Sequence, residues 1–451
     1  MKKNELLPTE ENLINSLTKD TIGRNKDIEY FLNILKCQES SCALALNGRW
    51  GTGKTFFVRQ TEMYINASNF QSKMSDEKKS IIKNALTIKD YTNDTFAIYY
   101  DAWKNDNDAD PIFSLICEIT KQVDEYFSIE KFEVSDFITL SVSILDTIVN
   151  TSFKGLTDLK KQKDAFEKFL NQKDTEKLIS EFFSKLLPER GNRLVIFIDE
   201  LDRCKPTYAI RLLEQIKHYM MDDRITFVFS VNFEQLQHTI KCYYGADFDA
   251  NRYLDRFFDL RMELPPIDMD KYYEKIGLNQ NFSIEIVIKQ IIKNYNFGLR
   301  EMGRFIPQVK TAVYNIFDND YNFLFQEGRS KEFIMIYIVP LMIGLRIASI
   351  SVYNDFIEGK DSKPLQDLLS ISELKPCLQD LLNGGEDLES DMEKECVSTQ
   401  EIIDRLYDAI FKKQYSYNDY HTILGRYAFG KGSKQFAIKV STMMSPYTEL
   451  S

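Results

Sequence analysis

The octapeptide "GRWGTGKT" at residues 48–55 directly follows the apolar run "CALALN", and no other stretch constrains the fold as tightly. Glycines at 48, 51 and 53 free the backbone to wrap, so that successive N–H groups converge on one anion. Lys54 and Thr55 complete the pattern Gly-x4-Gly-Lys-Thr. Such a cradle needs a buried strand to deliver the chain and a helix to carry it away. The sequence therefore predicts a strand over 42–47 and a helix through "FFVRQTEMYI". Gly48, Trp50, Gly51, Thr52, Gly53, Lys54, Thr55 and Phe56 become candidates for binding ATP. Lys54 would reach the β- and γ-phosphates, the Thr55 hydroxyl would ligate Mg²⁺, and the Trp50 ring is expected to pack beside the nucleotide.

A phosphate loop of this kind needs a second carboxylate site, and "RLVIFIDELD" (193–202) supplies one. Asp199, ending an apolar strand, would hold Mg²⁺ through water, and Glu200 would polarise the attacking water. "RITFVFSVN" (224–232) repeats the shape and ends in Asn232, which either orients the same water or is an ordinary turn residue. "TFAIYYDAW" (95–103) and "RFFDLRMELPP" (256–266) read as further strands. Strands alternating with helices imply a parallel sheet covered on both faces, with ligands bound outside the carboxyl ends. Arg256, with Arg252 one turn earlier, is either an arginine finger reaching a neighbouring copy or a solvated helix-end residue. Arg300 and Arg304 share one helical face and could either close onto the phosphates or form surface ion pairs.

The chain's 451 residues exceed one compact core. At 43% apolar and 28% charged residues it is an ordinary soluble globular protein, and a net charge of −11 argues against a general nucleic-acid coat. Seven cysteines without a CxxC and three histidines without an HxxxH argue against zinc and suit reduced thiols in the cytoplasm. No apolar segment follows the N-terminal lysines as in a signal peptide. The stretches at 137–149 and 333–345 fall short of the roughly 18–20 residues of a membrane span and read as buried helices. The expected organisation is an N-terminal extension (1–20) and a core (21–268) with a charged helical insertion at about 110–190. A helical lid (269–355) and a C-terminal helical region (356–451) follow, the latter with an acidic linker at about 383–401. Lys412, Lys413, Arg426, Lys431, Lys434 and Lys439 alternate with aromatic residues, as in a nucleic-acid track or the charged exterior of a small subdomain. Trp103 is expected as a core aromatic behind the sheet.

Four segments in order resemble the KAP-type P-loop NTPases, a branch of the STAND- and AAA-related additional-strand ATPases. They are "NGRWGTGKTFF", "YYDAWKNDNDADPIFSLICEI", "VIFIDELDRCKPTYAIRLLEQIKHYM" and "FVFSVNFEQLQHTI" with the later "YLDRFFDLRMELPP". The resemblance implies an α/β fold: a parallel-sheet P-loop ATPase core with a helical insertion, then an all-helical lid and C-terminal region. It implies ATP at Gly48–Thr55, Mg²⁺ at Thr55 and Asp199, hydrolysis through Glu200, and Asn232 as sensor. Many members carry membrane helices between the two motifs. The insertion here is too polar for that, so a soluble bacterial member is expected, in the cytoplasm and without a membrane span. The implied function is an oligomeric ATP-driven switch or motor in an anti-phage or anti-plasmid defence complex, with a separate effector protein. The alternative is a nucleotide-gated scaffold or sensor with little hydrolysis. Here Glu200 stands where the family often has Asp.

Overall fold

The computed structural model describes residues 7–38, 40–88, 94–108, 110–128, 177–187, 193–219, 222–278, 282–317, 328–382, 398–415 and 421–442. The chain forms two compact units, Leu6–Tyr272 and Tyr273–Ser451.

The first unit is built on five parallel strands: β1 (Cys42–Asn47), β2 (Thr95–Asp101), β3 (Arg193–Asp199), β4 (Ile225–Val231) and β5 (Leu260–Glu263). Their order is β2-β3-β4-β1-β5, so β4 is inserted between the strand that feeds the glycine loop and the strand that ends in Asp199. All seven residues of β4 are buried, as the uninterrupted apolar run requires when helices cover both faces. β5 is an edge strand, and three of its four residues are exposed. The register sets the carboxyl ends level. Asp101 pairs with Asp199, Asp199 with Ser230, and Ser230 with Leu46.

Among the described residues the first five helices of this unit are α1 (Glu10–Lys19), α2 (Asn25–Lys36), α3 (Lys54–Ser68), α4 (Asp76–Asn84) and α5 (Pro111–Tyr126). In α2, Ile28, Phe31, Leu32 and Leu35 form the buried stripe that their spacing predicts. α3 is buried along nearly its whole length, and its polar residues close the outer edge of β2. Asn66 donates to Ala97 O and accepts from Ala97 N, both at 2.9 Å, and Asn69 donates to Thr95 O at 2.8 Å. Gln122 of α5 does the same at Tyr99, accepting from its N–H at 3.1 Å and donating to its C=O at 2.7 Å. Side-chain amides thus occupy backbone groups that an open edge would present to another strand.

Within the insertion a helix spans 177–186. The stretch at 137–149 and the rest of the expected insertion over 129–176 lie outside the described residues, as does the acidic linker over 383–397.

In the second unit, Met302, Phe305, Ile306 and Val309 form the buried face of the helix Leu299–Phe317. The apolar run at 333–345 is buried: a π-helical turn, Ile334–Ile338, leads into the helix Val339–Ala348. Pro340 is the second residue of that helix, directly after the π-helical turn. Among the described residues no helix is long and apolar enough to cross a membrane.

One part departs from the all-helical expectation. His421–Leu424 and Tyr427–Gly430 pair as an antiparallel hairpin. Gly425 at the turn has φ 60°, the left-handed backbone that a two-residue hairpin loop requires. Three lysines of this region are engaged locally: Lys412 with Asp408 at 2.9 Å, Lys413 with Thr422 Oγ1 at 3.1 Å, and Lys434 with Phe411 O at 3.3 Å.

Asn66→Leu keeps the side-chain size but leaves both polar groups of Ala97 unpaired. A loss of about 2–4 kcal/mol of stability is expected, read as a lowered urea midpoint. An exposed change such as Lys83→Gln should shift the midpoint far less.

Candidate functional site

The loop between β1 and α3 holds its shape through backbone that side-chain-bearing residues rarely adopt: φ is 81° at Gly51 and 90° at Gly53. Gly48 is constrained by space instead. A Cβ there would lie 3.1 Å from Thr52 Oγ1 and 3.2 Å from Lys54 Cγ. Gly48 N donates to Val231 O at 3.1 Å, which ties the loop to β4. At the same edge Asn47 donates to both carboxylate oxygens of Glu263 at 2.9 Å and accepts from Phe233 N at 2.9 Å.

Lys54 is only 8% exposed. Its ammonium folds back onto its own loop, donating to Gly48 O at 2.6 Å and Arg49 O at 3.2 Å. Burial lowers its pKa, and the charges of Asp202, Asp199 and Glu200 act the other way. Across from the loop, Asp199 Oδ2 accepts from Thr55 Oγ1 at 2.6 Å and from the Tyr99 hydroxyl at 3.0 Å. Burial, and then the Asp199 charge, push the Tyr99 phenol well above its usual value.

Immediately after β3 the chain turns sharply. Glu200 lies at φ 60°, ψ 22°, and a short 3-10 turn, Leu201–Arg203, follows. A non-glycine residue held in this region is uncommon and carries backbone strain. The Glu200 carboxylate pairs with Arg203 Nε at 2.6 Å. Burial, and then the neighbouring Asp199, raise the Glu200 pKa to about 7. Asp202 is buried; its Oδ2 accepts from Trp50 Nε1 at 2.5 Å, and its Oδ1 has no hydrogen-bond partner. A cleft of about 410 Å³ reaches this corner, lined among others by Thr55, Tyr99, Asp101, Lys104, Gln122 and Glu200.

Gly48, Trp50, Gly51, Thr52, Gly53, Lys54 and Thr55 thus lie on one loop, which meets Asp199 through Thr55 and Asp202 through Trp50. Phe56 is buried. Asn232 is used as a helix cap: its Oδ1 accepts from Gln235 N at 3.4 Å at the start of the helix Phe233–Tyr244. Arg252 and Arg256 are exposed. Leu260 pairs with Leu44, so both arginines precede the amino end of β5, at the opposite end of the sheet from this chain's own loop. Arg300 is exposed on the helix Leu299–Phe317 of the second unit.

Trp103 corrects an expectation. It is 52% exposed on the turn after β2 rather than buried in the core, and its ring lies against the Arg203 guanidinium. β2 ends at Asp101, so Trp103 lies on the following turn and not on a strand packed within the sheet.

Sequence reasoning missed Arg24, which is 2% exposed. It donates to Thr52 O at 3.1 Å and to Pro265 O, bracing the glycine loop against the segment after β5. Its Nε has no hydrogen-bond partner, and burial lowers its pKa to about 10. A lone arginine in "TIGRNKD" gives no signal of this role, because both acceptors are distant backbone carbonyls. Tyr99 and Asp202 were missed as well, each inside a strand or turn already assigned.

The family model described as KAP family P-loop domain matches residues 24–315, well over half of the chain. The chain belongs to this family and carries its P-loop NTPase domain. No curated protein matches the chain.

Arg24→Leu would leave two loop-bracing carbonyls without their donor. About 2–4 kcal/mol of stability should be lost, together with weaker nucleotide binding, measured by thermal melting and nucleotide titration on the same sample.

Proposed function

We propose that this chain is a Mg²⁺-dependent ATPase in which Lys54 and Thr55 bind the phosphates and Glu200 activates water. The reading is carried by one observation: the loop bearing the buried Lys54 ammonium is joined to the Asp199–Glu200 carboxylates by the 2.6 Å contact between Thr55 and Asp199.

A phosphate entering the loop competes for Lys54 with the carbonyls of Gly48 and Arg49, two weaker, neutral acceptors. The donor set fits Mg²⁺. Thr55 and Asp199 are oxygen donors already in contact, and among the described residues no group of three or more His, Cys, Asp or Glu could cage a metal without substrate oxygens. Mg²⁺ held by Thr55 and Asp199 would supply charge to the phosphate oxygens. Tyr99 holds Asp199 Oδ2 in place by hydrogen bonding. Glu200, raised to about 7, retains proton affinity at neutral pH and can take a proton from water arriving through the adjoining cleft.

Arg252 and Arg256, at the far end of the sheet, could serve only the site of a neighbouring copy, which is why the proposal includes a homo-oligomer. In the same proposal residues 21–268 form the ATPase core with its helical insertion, 269–355 a helical lid bearing Arg300, and 356–451 a C-terminal region. A place in an anti-phage or anti-plasmid defence complex with a separate effector rests on the family resemblance alone. The second reading, a nucleotide-gated scaffold with little hydrolysis, is favoured by the ion pair between Glu200 and Arg203.

Steady-state phosphate release decides between the two. Lys54→Ala should lose nucleotide binding, whereas Glu200→Gln should bind ATP and lose about 10²–10⁴-fold in kcat. Turnover should rise with pH through a midpoint at or below about 7, because the ionised carboxylate is the working form and Mg²⁺ nearby lowers its pKa. A Glu200→Gln enzyme with undiminished kcat would discard the assigned base. ATP binding with no turnover in the wild type would favour the scaffold.

A further inference from the structure

Three separate segments meet at one guanidinium. Arg203, on the turn after β3, lies between the Trp50 and Trp103 rings, with its Cζ 5.5 Å from the centroid of each. Trp50 belongs to the glycine loop and Trp103 to the turn after β2, and they are the only two tryptophans of the chain. Both rings are partly exposed, 42% and 52%, so neither is placed by burial in the core. From this position Arg203 Nε donates to Glu200 Oε2 at 2.6 Å. Trp50 is fixed in turn by its 2.5 Å bond to Asp202, the residue preceding Arg203.

We infer that Arg203 is a positioning residue for Glu200, and that Trp50 makes its hold depend on the state of the glycine loop. This rests on the proposed role of Glu200. A glutamate on a strained turn has rotatable bonds that allow its carboxylate to point away from the loop, and its ion pair is with Arg203. A planar guanidinium held between two aromatic rings has a defined orientation, which a flexible ammonium would lack. The coupling to the loop follows from Lys54. An anion that takes up its ammonium releases the carbonyls of Gly48 and Arg49, the two residues preceding Trp50. A change in loop backbone at that point moves one face of the Arg203 clamp directly. Glu200 is thereby held in one position before nucleotide enters and in another after it.

The test uses the full chain. In Trp50→Phe the sole indole is Trp103, and Phe still offers Arg203 an aromatic face. Adding Mg·ATP should shift Trp103 emission, and the further change Arg203→Ala should abolish the shift while ATP still binds within about threefold by calorimetry. This arm needs no turnover. In steady-state assays of the otherwise wild-type chain, Arg203→Ala should lower kcat by about 10–100-fold with KM within threefold. Arg203→Lys should recover only part of the rate, because it restores the charge without the planar fork. Melting temperatures within a few degrees of wild type would exclude general unfolding, and if Arg203→Ala does not fold, Arg203→Lys carries the test. Wild-type kcat in Arg203→Ala beside an inactive Glu200→Gln would overturn this inference alone. So would tryptophan emission that ignores ATP both in Trp50→Phe and in the wild-type chain when binding is established. Full turnover in Glu200→Gln would overturn the base assignment and this inference with it.

Discussion

Holding opposite charges out of water is the constraint on which this site depends. Lys54 is 8% exposed and Asp199 and Asp202 are 1% and 4% exposed, so each loses hydration that only close, directed partners can replace. The level ends of the parallel strands make this possible. With only β4 between β1 and the strand that ends in Asp199, the first turn of α3 meets a carboxylate as soon as the chain leaves the loop. Neutral groups complete the arrangement: the Tyr99 hydroxyl, the Trp50 indole N–H and the Gly48 and Arg49 carbonyls satisfy charged groups without adding charge. The charged groups of the site therefore have partners within the protein itself, and a phosphate can enter by exchanging one set of acceptors for another.

What was legible in the sequence was what is encoded locally. The strand over 42–47, the helix leaving the loop, and Asp199 at a strand end follow from short patterns whose physical requirements leave few alternatives. Arg24, Asn66, Asn69 and Gln122 were not legible, because each contacts a backbone group from a remote segment and any polar side chain of the right length could do so. Trp103 was misread because its partner, the Arg203 guanidinium, comes from a segment about a hundred residues away. The hairpin at 421–430 was missed although "ILGRYAFG" contains a suitable turn, because the surrounding charge pattern reads as helix.

The arginines divide by the same logic. Arg24 and Arg203 are placed by specific acceptors and ring faces inside one unit, so their surroundings fix what they do. Arg252, Arg256 and Arg300 are exposed. Sequence position nominated them because of what a neighbour or a closing segment would bring, and a single chain gives them no such partner.

The amides that close the edge of β2 have a mechanical consequence. α3 starts at Lys54 and Thr55, and its far end is fastened to β2 by Asn66 and Asn69. It behaves as a strut pinned at both ends, because sliding it along the sheet would tear several buried hydrogen bonds at once. Displacement generated at the glycine loop has little freedom to travel along that helix. The other contacts of the loop run to the turn after β3, through the bond from Trp50 to Asp202 and through the Arg203 guanidinium, which also meets Trp103.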